Sequence, residues 1–157
     1  MLKSHRAIAL MIPIFLTAVG VHSAQAQPNN LAAASKPDEC NSLITTANQA
    51  MTNLQWAVLD STNSSDSNQA LLQIAEIADQ ASATMQTLEL TDGQLQTFRD
   101  RYVTIYTSAA QANRDLVTAV RQQNSQAAQQ AYETITTSTQ QEEPLINEIN
   151  SYCQVGG

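Results

Sequence analysis

Between positions 38 and 155 this chain holds one glycine, Gly93, and one proline, Pro144. Glycine and proline interrupt regular structure most sharply, one through conformational entropy and the other through its missing N–H. Their scarcity allows long unbroken elements. Apolar residues recur there every three or four positions, the 3.6-residue period of amphipathic helices rather than the two-residue alternation of strands. An all-α domain over residues 37–154 follows.

The first helix is expected to open at Pro37, whose fixed φ suits an early helical position, with Asp38 and Glu39 near the positive end of the helix dipole. Cys40, Leu43, Ile44, Ala47, Met51, Leu54 and Val58 form its buried stripe. Residues 60–68 have turn composition, and Asp66 with Gln69 three positions on makes a helix-start box. A second helix then runs to about Glu89 with Leu71, Ile74, Ile77, Ala78, Ala81, Met85 and Leu88 inward. Thr91 with Gln94 repeats the capping signature. The third helix reaches about Gln123, with Leu95, Phe98, Tyr102, Ile105, Tyr106, Ala109, Leu116 and Val120 on one face. Asn124 or Ser125 caps a fourth, carrying Ala128, Ala131, Ile135, Leu145, Ile149 and Cys153 inward. Pro144 falls inside that pattern and should kink the helix near Gln140 or break it briefly.

Four such helices with short connections favour an antiparallel up-down-up-down bundle. In that topology the start of helix one and the end of helix four share one end on adjacent positions. Cys40 and Cys153 would meet there, so one disulfide between helices one and four is expected. Two free thiols or a two-Cys metal site are the weaker reading, because no histidine is left to complete a zinc set.

Residues 1–26 read as a cleavable export signal. Lys3 and Arg6 precede a charge-free apolar run over 7–21, and Ala24-Gln25-Ala26 forms the cleavage pattern. The run is short of the about 20 residues that span a bilayer, so no stable membrane insertion is expected after cleavage. A flexible linker over 27–36 follows. The expected location is the periplasm or the cell exterior.

Both histidines, His5 and His22, leave with that signal, which excludes Ser-His and Cys-His catalysis from the mature chain. No haem motif, Glu-x-x-His pair or glycine-rich phosphate loop is present, and no cofactor is expected. Five basic residues remain against 14 acids, a net charge of −9 that repels nucleic acid and anionic lipid. Glu142, Glu143 and Glu148 gather around Pro144, and Asp60 and Asp66 bracket a polar loop. A solvated acidic surface explains them better than a calcium site, since the loop lacks the EF-hand glycine and terminal glutamate.

Trp56 lies about 160° around the first helix from Cys40, opposite the buried stripe. It is either an interface anchor or, on the preferred reading, a ring covered by a neighbouring helix. Asn113 falls near the core stripe, where it would fix register by a hydrogen bond. Arg99, Arg101, Arg114 and Arg121 read as surface ion pairs, Tyr102 and Tyr106 as core, and Asn63-Ser64-Ser65 as a glycosylation sequon. Helices three and four of about 30 residues would project about 9 Å past two of about 24. That overhang would expose Val117, Val120 and Ala127. The expected partner surface is Trp56, Val117 and Val120.

Leu90-Thr91-Asp92-Gly93-Gln94-Leu95, Arg101-Tyr102, Arg114-Asp115-Leu116-Val117, Glu143-Pro144-Leu145-Ile146 and Ile149-Asn150-Ser151-Tyr152-Cys153 resemble a group of small exported helical proteins of cyanobacteria. The resemblance implies the same helical fold and cysteine pair, and it carries over no catalytic residue. Some similar proteins are lipoproteins, and this chain departs from them in having no lipid-accepting cysteine. The function expected is a non-enzymatic module that binds a protein partner or serves a structural role. The alternative is a carrier of a small apolar ligand in the bundle core.

Overall fold

A computed structural model describes residues 34–61 and 66–154; the expected signal over 1–26, most of the linker and the sequon lie outside them. Four helices make up the described residues: α1 (Lys36–Ser61), α2 (Ser67–Gln86), α3 (Gly93–Arg121) and α4 (Ser125–Gln154). The helix ends follow from local capping chemistry. Ser35 and Asp38 cap α1 reciprocally, Ser35 Oγ donating to the Asp38 carboxylate at 2.7 Å and receiving the Asp38 N–H at 3.4 Å. The helix therefore opens at Lys36, one residue ahead of Pro37 and at the last position of the expected linker. Asp66 caps α2 as its sequence box predicts, accepting the N–H groups of Asn68 and Gln69.

α2 ends at Gln86, three residues earlier than its apolar pattern suggests, because Thr87 and Leu88 close back on Thr84 and Met85 in tighter turns. Leu90 enters the core from the connection. The cap of α3 is Asp92, which accepts the Gln94 and Leu95 N–H groups, and not Thr91. Thr91 is occupied by Glu39, so the capping role moves one residue on.

α3 closes with a Schellman motif: Asn124 N–H reaches Ala119 C=O at 2.9 Å and Gln123 N–H reaches Val120 C=O at 3.1 Å. Gln123 carries the left-handed conformation that the motif needs, at φ 56°. Asn124 then starts the next helix, its Oδ1 accepting the Ala127 N–H. α4 runs unbroken through Pro144. Pro144 and Gln140 are both exposed residues, on a side of the helix where water can replace a lost backbone hydrogen bond, and the helix need not break there.

α3 packs along both α2 and α4, while α1 packs chiefly on α2 and touches α3 and α4 more lightly. The main core joins the first half of α1 (Leu43, Ala47), the end of α2 (Met85), the first half of α3 (Leu95, Tyr102) and the second half of α4 (Leu145, Ile149). Cys40 and Cys153 form a disulfide at the margin of this core, with Cα atoms 5.9 Å apart. A second cluster of Ala75, Ala78 and Ala110, with Leu54 against it, fills less space.

The buried faces differ from the expected stripes where helices approach on alanine. In α2 the seam is Ala70, Ala75, Ala78, Ala81 and Ser82 with Met85, while Leu71, Ile74 and Ile77 flank it half-buried. In α3, Ala110, Ala112, Asn113, Val117 and Ala119 are buried, and Ala109 and Leu116 are only half-buried. A helix with neighbours on two sides buries a face wider than one stripe. Asn113 hydrogen-bonds within its own helix, donating to Ala109 C=O at 2.8 Å, and so does not bridge helices as expected.

Candidate functional site

The residues beside the two cysteines build a polar clasp. Glu39 precedes Cys40, is 2% exposed, and points at the connection before α3. Its carboxylate accepts the Thr91 N–H at 3.0 Å, the Asp92 N–H at 3.0 Å and the Thr91 hydroxyl. Asp92, besides capping α3, accepts the hydroxyl of Tyr152 at 2.8 Å. Tyr152 precedes Cys153, stands edge-on to Phe98 with centroids 5.8 Å apart, and carries the Lys36 ammonium 3.7 Å over its ring.

The electrostatics follow from these donors. The Thr91 hydroxyl, with the amides of Asp92 and Thr91, holds the Glu39 carboxyl below its ordinary value. The Leu95 amide and then the Tyr152 hydroxyl do the same for Asp92, and the bond to Asp92 raises Tyr152. Charge-assisted bonds of this kind are short and directional. Their role here is to tie the start of α1, the α2–α3 connection and the end of α4 together. No sequence pattern marks Glu39 for this role, since its partners lie 52 and 53 positions away.

The acids expected to gather around Pro144 part company. Glu142 turns inward and accepts the Tyr106 hydroxyl at 3.0 Å. Burial raises its carboxyl, opposed in part by that hydrogen bond. Tyr106 stacks on Tyr102 at 5.7 Å, and burial raises both phenols. Glu148 instead pairs with Arg101 through two oxygens, and Glu143 stays exposed. Arg114 pairs with Asp79, and Arg99 with its neighbour Asp100. Among the described residues no three His, Cys, Asp or Glu side chains converge as a metal set.

The expected surface residues divide. Trp56 is 67% exposed, so no neighbouring helix covers its ring. Val120 is 50% exposed, whereas Val117, expected beside it on a projecting wall, is 2% exposed and packs inward. The lengths of 26, 20, 29 and 30 residues make α2 alone markedly short. The other exposed large apolar side chains among the described residues are Leu59, Leu72 and Tyr132. Together the five occupy the second half of α1, the first half of α2, the second half of α3 and the first half of α4.

An open groove of about 800 Å³ lies between α3 and α4. Val103, Ala112, Ala119, Ala127 and Ala131 contribute its apolar side chains, and Thr, Ser and Gln residues with Asp115 the rest of its wall. No described helix is long and apolar enough to cross a membrane. Comparison with protein-family models, with curated proteins and with solved structures returned no match.

Proposed function

We propose that this chain is a non-enzymatic, exported four-helix module of the periplasm or cell exterior that works by binding a protein partner or by holding a structure together. The helices run up-down-up-down, with the disulfide as a staple at one end. The support for alternating direction is the numbering of cross-helix pairs. Between α2 and α3, Asp79 meets Arg114 and Ser82 meets Thr107. Between α3 and α4, Asp92 meets Tyr152, Arg101 meets Glu148 and Tyr106 meets Glu142. In each series one number rises as the other falls, as in antiparallel neighbours.

The observation that carries the binding reading is the placement of exposed apolar side chains. With alternating helices, Trp56, Leu59, Leu72, Val120 and Tyr132 all fall in the half remote from the disulfide. The opposite half carries the larger core and the polar clasp. Two of the five are aromatic, Trp56 and Tyr132, and exposed aromatic side chains are frequent anchors of protein contacts. The non-enzymatic reading draws on the commitment of Glu39, Asp92, Glu142 and Glu148 to partners inside the fold.

Cross-linking in the native envelope tests this with the wild type, Trp56→Asp and Val120→Asp. The wild type should yield an adduct that at least one variant loses while keeping its helical circular dichroism. Identical adducts from all three would sink the proposal. The apolar-carrier alternative gains little: the large void is an open groove on α3 and α4 and not an enclosed cavity, while Tyr102, Tyr106, Leu145 and Met85 fill the core.

A further inference from the structure

The outward side of α1 differs electrically from the rest of the chain. Positions 41–59 contain no ionisable residue, in a sequence with 14 acids. The charges of α1 stand at its ends, at Lys36, Asp38, Glu39 and Asp60. Asn41, Thr45, Gln49, Thr52, Asn53 and Trp56 are all exposed along this stretch. They fall on one side of the helix at 100° per residue. The exposed acids Glu76, Asp79, Asp100, Asp115, Glu133, Glu143 and Glu148 belong to the other three helices, while those of α1, Asp38 and Asp60, stand at its two ends.

We propose that this outward face of α1 is where two copies of the chain associate, with Trp56 as its anchor. The proposal rests on the binding reading above and names the partner as a second copy. Two molecules of the same net charge, −7 for the full sequence, repel each other wherever carboxylates face carboxylates. Bringing α1 against α1 keeps the acid-bearing helices of both copies outward. Amides both donate and accept, so a face of Asn and Gln complements itself across a two-fold axis. Gln49 and Asn53 already pair in this way within one helix, at 3.0 Å.

The size of the face sets the strength. Nineteen helical residues present a strip of about 28 by 10 Å, well below the about 800 Å² per partner of a standard interface. The dimer is therefore weak and reversible. Added salt strengthens it, because screening removes the repulsion between like-charged copies.

Trp56 is the only tryptophan in the chain, so its emission reports on this face alone. The test is sedimentation of the oxidised protein from about 10 μM to about 1 mM, at about 20 mM and about 500 mM salt, with emission read alongside. Dimer mass should grow with concentration and with salt, and the Trp56 emission should shift to the blue in step. Thr52→Glu should abolish both changes and Thr137→Glu, which adds the same charge on the exposed face of α4, neither; Gln49→Glu supplies the same charge on α1 if the first variant fails to fold. A monomer throughout, a dimer whose emission does not move, or a dimer lost in Thr137→Glu but kept in Thr52→Glu would overturn the proposal. So would a blue shift without added mass that appears only with phosphatidylcholine vesicles, which would make lipid the occupant. A monomer whose envelope adduct still depends on Trp56 would overturn the second copy alone and leave the binding reading standing.

Discussion

Replacing both Cys40 and Cys153 by alanine should leave the fold in place and remove a large share of its stability. The bridge joins positions 113 apart in sequence. In the chain-entropy model, opening a loop of that size relieves the unfolded state of a constraint worth about 4.8 kcal/mol at 25 °C. Packing around the bridge changes little, since the two β-carbons remain. Spread over the roughly 2.1 cal/mol/K of unfolding entropy per residue, a domain of this size should lose about 15–20 °C in Tm. The fold itself should survive, because Glu39 holds Thr91 and Asp92, and Asp92 holds Tyr152, without help from the sulfurs. Urea titrations of the oxidised wild type and the double variant, followed by circular dichroism, give the difference directly. A loss below about 1 kcal/mol with native spectra would refute the entropic account. It would mean that the ends of the reduced, unfolded chain already stay together. Complete unfolding of the variant in buffer would refute the claim that the clasp closes the same end independently.

Gln123→Gly should stabilise the protein by about 1 kcal/mol in urea titration, because a residue with a side chain now occupies the left-handed position of the Schellman motif. Gly93→Ala should add about 0.4–1 kcal/mol by the same assay, since the new Cβ meets nothing within 4 Å and the unfolded chain loses freedom. The folded-state pKa of Glu39 is lowered, so its contribution is present above the ordinary carboxylate range and is lost as pH falls through the folded value. Glu39→Gln should therefore weaken the fold at pH 7 and flatten its acid limb. Glu142 has the opposite sign: raised by burial, it favours the fold below its ordinary value of 4.5 and loses that contribution as pH rises through the folded value. Glu142→Gln should stabilise the protein at pH 7 and leave it little changed at pH 3, as denaturant midpoints at the two pH values would show.

What could be read from the sequence depended on whether the deciding partner was local. Asp66 and Asn124 are legible as caps because the amides they accept lie two or three residues on. The cysteine pair is legible because helix count and short connections restrict which ends can meet. Thr91 and Asp92 both have capping chemistry, and the choice between them is made by Glu39, 52 positions before Thr91. A local pattern cannot contain that information. The α2 seam misled for a different reason: apolar periodicity weights Leu71, Ile74 and Ile77, which are only half-buried, whereas the most buried positions are the small Ala70, Ala75, Ala78 and Ala81 that let a neighbouring helix approach. At 100° per residue the buried face is turned by about 30° from the stripe of large residues.

That displacement bears on the candidate surface as well. Val117 and Val120 look equivalent by residue type, but α3 buries a face wide enough to take in Val117 and leave Val120 out. Spacing alone puts Trp56 opposite the buried stripe, and the preferred expectation that a neighbouring helix covers its ring fails because α1 has its principal neighbour on one side only. Outward placement is thus legible for a helix at the margin of the bundle and poorly legible for one packed on two sides. The charge pattern reinforces the distinction. The charge-free stretch 41–59 of α1 raises little electrostatic barrier to a copy of itself, whereas the acid-bearing faces of α2, α3 and α4 each oppose one.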